Sequence, residues 1–392
     1  MRSASSFIAL ACLGLTACSG TDDANGGGDT TGTGGTFASG GGTSDGSGGF
    51  GNDNGNGTGG TFTGTGGFTA TGGSSNTGGS DGDGDPVQND CGLPELSSPL
   101  APASSALEVV NWAGKQAAIS YTFDDGTATQ VSNYTTLNNL GVPFTFFLVT
   151  NWSGTTNNIN LWKQAILDGH EIGNHSHTHP QAGTGSELDN ATNYIQTNLG
   201  VKPLTMAAPY GDTSYKSHAQ TRFLFNRGVN GGSIAPNGNV DRYDLPTFIP
   251  ATGADKNALD AGVNTAVNQG RWQIVLIHGF TGANDSPYQP VPLDAFLQHV
   301  QGQRDSGKVW IDTLLNVGAY YLAQKLLNET QPIMSGEGST WSWTLPQFFP
   351  EGRCLRIRSN GRVLQNGQPV AEHPNGYYDI SLDVGSVTVA PM

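Results

Sequence analysis

Basic residues are scarce in this chain. Its 392 residues include 17 Lys and Arg against 32 Asp and Glu, which gives a formal net charge of −15 and a pI near 4.7. Domains that bind nucleic acids carry clustered Lys and Arg that contact phosphates. The charge balance therefore argues against a nucleic-acid interface. From residue 86 onward, 16 basic residues face 24 acidic ones, which is ordinary for a folded soluble domain.

The apolar stretch near the start of the chain is short. Residues 7–15 follow the basic Arg2 and cannot cross a bilayer, so residues 1–18 are predicted to be a secretion signal. Leu15-Thr-Ala-Cys18 resembles a bacterial lipobox, in which the cysteine becomes the lipidated first residue of the mature protein. An ordinary signal peptide with an incidental cysteine is the alternative. Ser19, in place of an aspartate, favours the outer membrane, on its periplasmic side or at the cell surface.

Cysteines are also few, since the chain has four. Cys12 lies inside the predicted signal and Cys18 is the lipidation candidate. The remaining two, Cys91 and Cys354, could form a disulfide in an oxidising compartment. Two free buried thiols are the alternative. Neither lies in a motif that is typical of a catalytic nucleophile.

Residues 19–85 contain almost only Gly, Thr, Ser, Asn and Asp, with no Lys, Arg or Glu. Such a composition cannot bury enough apolar surface to offset the entropy of the chain. We expect this segment to be a disordered tether.

A domain is predicted over residues 86–330, in which apolar runs alternate with amphipathic stretches from residue 108 to about residue 330. This alternation predicts an α/β domain with parallel strands. The predicted strands are 117–123, 144–149, 171–174, 205–208, 227–230, 273–277 and 309–312. The predicted helices are 128–140, 161–168, 187–198, 255–269, 293–306 and 317–327.

A small all-β module is predicted over residues 331–392. Alternating residues at 354–358 and 377–382 indicate short strands, and Asn360-Gly361 and Asn366-Gly367 indicate hairpin turns. Trp341 and Trp343 could bind glycan through their flat rings, but we favour a role in core packing.

The most informative stretch is Ile119-Ser-Tyr-Thr-Phe-Asp-Asp-Gly126, an apolar run that stops at two carboxylates. The pattern is typical of a buried strand that delivers acidic side chains to the rim of a sheet. His175 and His179 are spaced i, i+4, and His278 follows another apolar run. Two histidines and one carboxylate leave open positions on a Zn²⁺-like ion. Satisfied surface histidines would explain the His-x-x-x-His spacing alone, but the combination favours a metal-dependent hydrolase.

Three motifs resemble those of the NodB-like polysaccharide deacetylases, a family of carbohydrate esterases. They are Thr122-Phe-Asp-Asp-Gly126, the run from Gly169-His-Glu-Ile-Gly-Asn-His175 to His179-Pro180, and Leu276-Ile-His278. They occur in the family's order, and the similarity covers roughly residues 109–328. The resemblance implies an irregular (β/α) barrel of about seven strands. It also implies removal of acetyl groups from chitin, peptidoglycan amino sugars or acetylated xylan.

Roles follow from the resemblance, position by position. Asp124 would be the general base and His278 the general acid. Asp125, His175 and His179 would hold the metal, with Zn²⁺ first and Co²⁺, Ni²⁺ or Fe²⁺ as alternatives.

The backbone N–H of Tyr210, which follows Pro209, would stabilise the developing oxyanion. One departure is Ala207, which occupies the position where many family members have an arginine that pairs with the base. An aspartate that tunes the acid histidine would be Asp241 or Asp244.

The leading hypothesis is therefore an exported, lipid-anchored, metal-dependent deacetylase that acts on the N-acetyl groups of a GlcNAc-containing glycan. We expect it to be a monomer whose partners are the polysaccharide and, through Cys18, the membrane. An acetylxylan-type O-acetyl esterase is the second enzymatic hypothesis. A glycan-binding surface protein with an impaired site is the third, and Ala207 is its main support.

Overall fold

The computed structural model describes residues 86–89, 91–282, 287–336 and 338–391. The predicted signal at 1–18, the lipidation candidate Cys18 and the predicted tether at 19–85 lie outside the described residues. No helix in the described part is long and apolar enough to span a membrane.

The folded part begins with a short strand and then alternates strands with helices before ending in strands alone. The strands are β1 (Glu108–Val109), β2 (Ala117–Asp125), β3 (Thr145–Leu148), β4 (Glu171–Asn174), β5 (Thr205–Ala207), β6 (Phe225–Arg227), β7 (Trp272–Ile277), β8 (Val309–Ile311), β9 (Ile333–Ser335), β10 (Gly338–Ser342), β11 (Cys354–Arg358), β12 (Arg362–Gln365), β13 (Gln368–Pro369), β14 (Tyr378–Ser381) and β15 (Ser386–Ala390). The helices are α1 (Ala128–Asn138), α2 (Ser153–Thr156), α3 (Ile159–Leu167), α4 (Gly185–Leu199), α5 (Tyr215–Ala219), α6 (Lys256–Asn268), α7 (Leu293–Asp305) and α8 (Leu314–Glu329).

Seven parallel strands form the central sheet, in the order β6-β5-β4-β3-β2-β7, with β8 paired to the start of β2. Every pairing in this sheet is parallel. Parallel neighbours require crossover connections, and the helices between the strands supply them. The predicted α/β class and the predicted irregular barrel of about seven strands are confirmed.

An irregular segment fills the gap between β6 and β7. Leu245 bridges to Arg227 of β6, and Phe248 bridges to Val275 of β7. The backbone N–H of Leu245 donates to the carbonyl of Asn226 at 3.0 Å, which continues the hydrogen-bond ladder. The curved sheet is thus closed by a segment that is not a regular strand.

Strand β2 lies at the centre of the core because both of its faces are buried. Ile119, Tyr121 and Phe123 belong to one apolar cluster together with residues of α1, α6 and α7. Ala118 belongs to a second cluster, which reaches the C-terminal strands. Alternate residues of a strand point to opposite faces, so one strand contributes to both clusters.

Side-chain caps fix where several helices begin. The hydroxyl of Thr184 accepts from the N–H of Glu187 at the start of α4, and Asp255 accepts from Ala258 at the start of α6. Such caps satisfy backbone donors that have no partner within the helix.

The C-terminal strands form two antiparallel sheets, with the orders β1-β11-β14 and β13-β12-β15-β10-β9. The predicted domains were residues 86–330 and 331–392, so the segment before β2 was assigned to the barrel. Strand pairing instead places β1 against β11, and a disulfide joins Cys91 to Cys354. The β module is therefore built from both ends of the folded part.

Side chains in this module agree with packing rather than with glycan binding. Trp341 is buried in the apolar cluster of the module, and the indole N–H of Trp343 donates to the carbonyl of Leu382 at 2.9 Å. Asn366-Gly367 forms the predicted hairpin turn, between β12 and β13. The hairpin predicted at Asn360-Gly361 is wrong, because the strands on its two sides lie in different sheets.

Candidate metal centre

The carboxyl ends of the parallel strands bring the predicted site residues to one rim. Asp125 ends β2, His175 follows β4 and His278 follows β7, while Arg227 ends β6. Carboxyl ends of parallel strands share one edge of the barrel, where its active sites lie.

Two adjacent carboxylates face the same side chain because β2 ends between them. Asp125 has φ +79° and Gly126 has φ +69°, so the chain leaves the extended conformation at Asp125. Oδ2 of Asp124 lies 3.7 Å, and Oδ1 of Asp125 3.5 Å, from Nε2 of His175. In a continuing strand the two side chains would point to opposite faces. A left-handed residue is uncommon outside glycine, although aspartate tolerates it better than most.

The histidine loop is held by hydrogen bonds to β5 and α4. Nδ1–H of His175 donates to the carbonyl of Ala207 at 2.8 Å, which leaves Nε2 free to bind a cation. One carboxylate oxygen of Glu187 accepts from the backbone N–H groups of His177 and Thr178, at 3.1 and 2.8 Å. His179 itself has φ +62°. The loop is thus fixed in the geometry that returns His179 towards His175.

Three donor atoms converge at the centre of the rim. The ligand atoms of Asp125, His175 and His179 all lie within 4.8 Å of one another. Oδ1 of Asp125 is buried and has no hydrogen-bond partner among the described residues. A buried carboxylate oxygen without a partner is costly unless a cation or a donor meets it. The donor set of two imidazoles and one carboxylate therefore fits a divalent metal such as Zn²⁺.

The second carboxylate, Asp124, pairs with an arginine instead. Nη2 of Arg227 donates to Oδ2 of Asp124, and both side chains are buried. Burial raises the pKa of Asp124, whereas Arg227, His175 and His278 lower it, and the balance holds this pKa below its usual range. Asp124 is therefore kept as a carboxylate beside the three ligand atoms, ready to accept a proton.

A family model described as polysaccharide deacetylase matches residues 113–225. This part of the chain belongs to the polysaccharide deacetylase family. The match includes the Asp-Asp pair and both predicted histidine ligands, and it confirms the resemblance to NodB-like deacetylases.

Two curated proteins are similar to parts of this chain. The Uncharacterized protein YlxY of Bacillus subtilis (strain 168) is 45% identical over 76 residues, which are 18% of this chain and 23% of that protein. The Peptidoglycan-N-acetylglucosamine deacetylase PgdA of Listeria monocytogenes is 32% identical over 118 residues, 28% of this chain and 25% of that protein. The chain thus spans about a quarter of the length of each.

One of the solved structures to which this chain is similar is a family 4 acetyl xylan esterase from Clostridium thermocellum in complex with a cobalt ion. It is 19% identical, with a TM-score of 0.38, and covers 51% of this chain and 89% of its own.

His278 lies at the same rim of the barrel, as predicted, near Asp124. Burial lowers the pKa of His278, although the charges of Asp124 and Asp125 raise it. Nδ1 of His278 is buried and has no hydrogen-bond partner among the described residues.

The two predicted tuning aspartates, Asp241 and Asp244, contact a lysine. Oδ2 of Asp241 lies 2.6 Å from Nζ of Lys216, and Oδ2 of Asp244 lies 3.5 Å from the same atom. Both aspartates therefore contact Lys216, which lies on α5 after β5, whereas His278 follows β7. The assignment of Asp241 or Asp244 as the tuning residue stays a prediction.

Tyr210 lies beside His179, one of the predicted metal ligands, in the short turn Pro209–Gly211 that follows β5. Its ring centroid is 4.6 Å from that of His179, and 65% of the residue is exposed. Its φ of +57° turns the chain sharply at this point. The role of its backbone N–H towards an oxyanion stays a prediction. His177, which lies between His175 and His179 in the sequence, contacts the hydroxyl of Thr150 through Nδ1 at 2.9 Å.

Arg227 is the site residue that the sequence did not reveal. The prediction began a strand at residue 227, but β6 ends there, because the buried residues Phe225–Arg227 form the strand whereas Val229 and Asn230 are exposed. The guanidinium therefore arrives at the rim from the strand next to Ala207. The pairing of Ala207 with Arg227 in the β5–β6 register shows how close the two positions are. The apolar run Phe223-Leu-Phe225 ahead of Asn226-Arg227-Gly228 marks a strand in the sequence, but it does not show which carboxylate the arginine meets.

Proposed function

We propose that this protein is a metal-dependent polysaccharide deacetylase that hydrolyses the N-acetyl groups of a GlcNAc-containing glycan and releases acetate. The observation that carries the proposal is the convergence of Asp125, His175 and His179 beside the buried Asp124–Arg227 pair. A base and a set of metal ligands in contact are what hydrolysis of an amide by water requires.

Asp125, His175 and His179 would hold the metal. Zn²⁺ is the first choice for this donor set, and Co²⁺, Ni²⁺ or Fe²⁺ are the alternatives. A divalent metal at this position would supply activation of the attacking water and polarisation of the acetyl carbonyl.

The proton transfers fall to residues of the chain. The Asp124 carboxylate takes a proton from the water while the oxygen of that water bonds to the acetyl carbon. Arg227 holds that carboxylate ionised and oriented. The C–N bond then breaks, and the imidazolium of His278 gives its proton to the leaving nitrogen. The products are acetate and a free amine on the sugar.

Arg227 also bears on the hypothesis of an impaired binding protein. That hypothesis rested on Ala207, where a family arginine would pair with the base. The guanidinium of Arg227 contacts the base from the neighbouring strand, so the pairing is present without an arginine at 207. The reason to expect an inactive site is thereby removed.

Export and lipid anchoring at Cys18 remain part of the proposal. The support is the signal-like run before Cys18 and the Gly-rich segment after it. A tether of this kind would let the enzyme reach a polymer outside the membrane.

The test is acetate release by the purified chain, stripped of metal by chelation and then given Zn²⁺. Chitooligosaccharide, poly-GlcNAc, peptidoglycan and acetylated xylan would be compared side by side. Metal-dependent acetate from a GlcNAc-containing substrate supports the proposal. Acetate from xylan alone would reassign the enzyme as an O-acetyl esterase, and no acetate from any substrate would refute deacetylation.

A further inference from the structure

The hydrogen-bond ladder between β2 and β7 ends one residue before the proposed base and acid. Its last paired residues are Phe123 and Ile277, and the next residues along the chain are Asp124 and His278. Strand β7 itself ends at Ile277, so the ladder does not hold the backbone of His278. A general acid must lie within hydrogen-bond reach of the atom that it protonates, and a misplacement of about 1 Å can cost about a hundredfold in rate. Contacts outside the sheet therefore have to fix this segment.

One side-chain amide on α1 joins the two backbones at this point. Nε2 of Gln130 donates to the carbonyl of Asp124 and, at 2.9 Å, to the carbonyl of His278. An amide nitrogen carries two N–H groups, so each carbonyl has a donor of its own. Gln130 is fully buried, and a hydrogen bond is stronger where water is excluded. The amide therefore sets the distance between the base segment and the acid segment.

Two threonines at the start of the same helix hold the acid segment from the same side. Oγ1 of Thr127 donates to the carbonyl of His278 at 3.0 Å, and the N–H of Phe280 donates to Oγ1 of Thr129 at 3.2 Å. Between these contacts, a Cβ added to Gly279 would overlap Oγ1 of Thr129. The acid segment thus packs directly against the start of α1.

The base segment is held more firmly than the acid segment. The backbone of Asp124 pairs with Phe147 of β3, and its carboxylate accepts from Arg227. The acid segment lies beyond the end of β7 and is held from α1. Gln130 thus ties the less constrained His278 to the firmly held Asp124, and loss of its amide should displace His278.

The oxygen of the same amide indicates that stability alone does not explain this glutamine. Oε1 of Gln130 is buried and has no hydrogen-bond partner among the described residues. A buried oxygen without a partner costs free energy, and an apolar side chain of similar length would avoid that cost. The two carbonyls that the amide nitrogen holds are the reason for a glutamine here.

We propose that Gln130 is a positioning residue that places the general acid His278 relative to the base Asp124, with Thr127 and Thr129 in support. It acts through the backbone of the base and of the acid and does not touch the substrate. This inference rests on the proposed deacetylase function and adds the residue that aligns its two proton-transfer groups.

The experiment is a double-mutant cycle on the zinc-loaded full chain, with acetate release from a chitooligosaccharide as the readout. Gln130→Met should lower kcat by about 10- to 100-fold, while KM and metal content stay near the values of the unmodified chain. His278→Ala should lower kcat by about 10²- to 10⁴-fold. In the His278→Ala background, Gln130→Met should change kcat by less than about threefold, because the acid that it positions is already gone.

A second variant tests the same segment with a smaller change. Thr127 does not cap α1 with its side chain, so Thr127→Val removes the hydroxyl without removing a helix cap. Thr127→Val should lower kcat several-fold, and this loss too should vanish in the His278→Ala background.

Gln365 supplies the matched control. Its Nε2 donates to the carbonyls of Ser381 and Ser386, at 2.8 and 3.1 Å, in the β module. Gln365→Met therefore removes the same kind of amide bridge away from the rim, and kcat should stay unchanged.

An unchanged kcat in Gln130→Met, or losses that multiply when Gln130→Met is combined with His278→Ala, would overturn the positioning role while acetate release by the unmodified chain upholds the deacetylase. Loss of metal in proportion to the loss of kcat would also overturn it, since the defect would then lie in the metal centre. Absence of metal-dependent acetate from the unmodified chain would instead overturn the proposed function and the positioning role with it.

Discussion

Arg227 shows how a single residue can take over a task from another position. Members of the family often have an arginine where this chain has Ala207, and it pairs with the base. Here the guanidinium comes from the end of β6 and reaches the same carboxylate, Asp124. The contact is made across strands, so no local motif reports it. The Asp-Asp pair and the two histidine ligands could be predicted because their spacing is local; Arg227 could not.

Replacement of Asp124 by asparagine should abolish turnover without removing the metal. The amide keeps the size of the side chain but cannot accept a proton, and loss of a general base costs about 10²- to 10⁴-fold in kcat. Acetate release and metal content per chain are measured together. Loss of the metal in Asp124→Asn would make Asp124 a ligand rather than the base.

Replacement of Arg227 by methionine should change the pH profile of kcat/KM. Arg227 lowers the pKa of Asp124, and the base works only when ionised, so activity is lost as the pH falls through that pKa. Without the guanidinium the pKa of Asp124 rises, and the acidic limb moves to higher pH.

The same variant should also lower the free energy of unfolding by about 3–5 kcal/mol, because it leaves a buried charge without a partner. Arg222→Met is the matched control, since Arg222 pairs with the exposed Asp189 and such pairs contribute about 0–1 kcal/mol. An unmoved acidic limb in Arg227→Met would refute the role assigned to Arg227.

At the scale of elements, the sequence predicted the types and the order of the barrel strands and helices well. Strand β4 was predicted with its observed bounds, because Glu171–Asn174 lies between two clear turns. The strand at 227–230 was misplaced, since three residues carry too little pattern to fix a strand's ends. The segment from Leu245 to Phe248 that closes the barrel has no regular pattern at all, and tertiary contacts alone define it.

Helix α4 also contributes to the metal centre, through Glu187. Its carboxylate accepts from two backbone N–H groups between the proposed ligands, so Glu187→Ala should loosen the loop. Loss of such a supporting group typically weakens metal binding by about 10- to 100-fold. Competition with a chelator measures the affinity. Glu187→Gln retains an acceptor oxygen and should lose less, whereas an alanine variant with unchanged affinity would contradict this account.

At the scale of the whole molecule, both ends of the folded part meet in the β module. Strand β1 pairs with β11, and the disulfide joins residues 263 apart in sequence. The sequence indicated the cysteine pair but not the shared sheet, because a two-residue strand gives no usable pattern.

The double replacement of Cys91 and Cys354 by serine should lower the free energy of unfolding by about 2–5 kcal/mol. The disulfide closes a long loop and so restricts the unfolded chain. Denaturant titration measures the loss, and peptide mapping after alkylation without reductant should find neither cysteine labelled in protein produced in an oxidising compartment. Labelling of either cysteine would mean that the bond is absent there.

We propose that one metal, held by Asp125, His175 and His179, is required for acetate release. The most direct measurement titrates the metal-free chain with Zn²⁺ and follows both bound metal and the rate of acetate release from a chitooligosaccharide. The rate should rise in proportion to bound metal and level off at about one ion per chain. His175→Ala and His179→Ala should neither bind the ion tightly nor release acetate. Full activity in the metal-free chain, or in either histidine variant, would contradict the account.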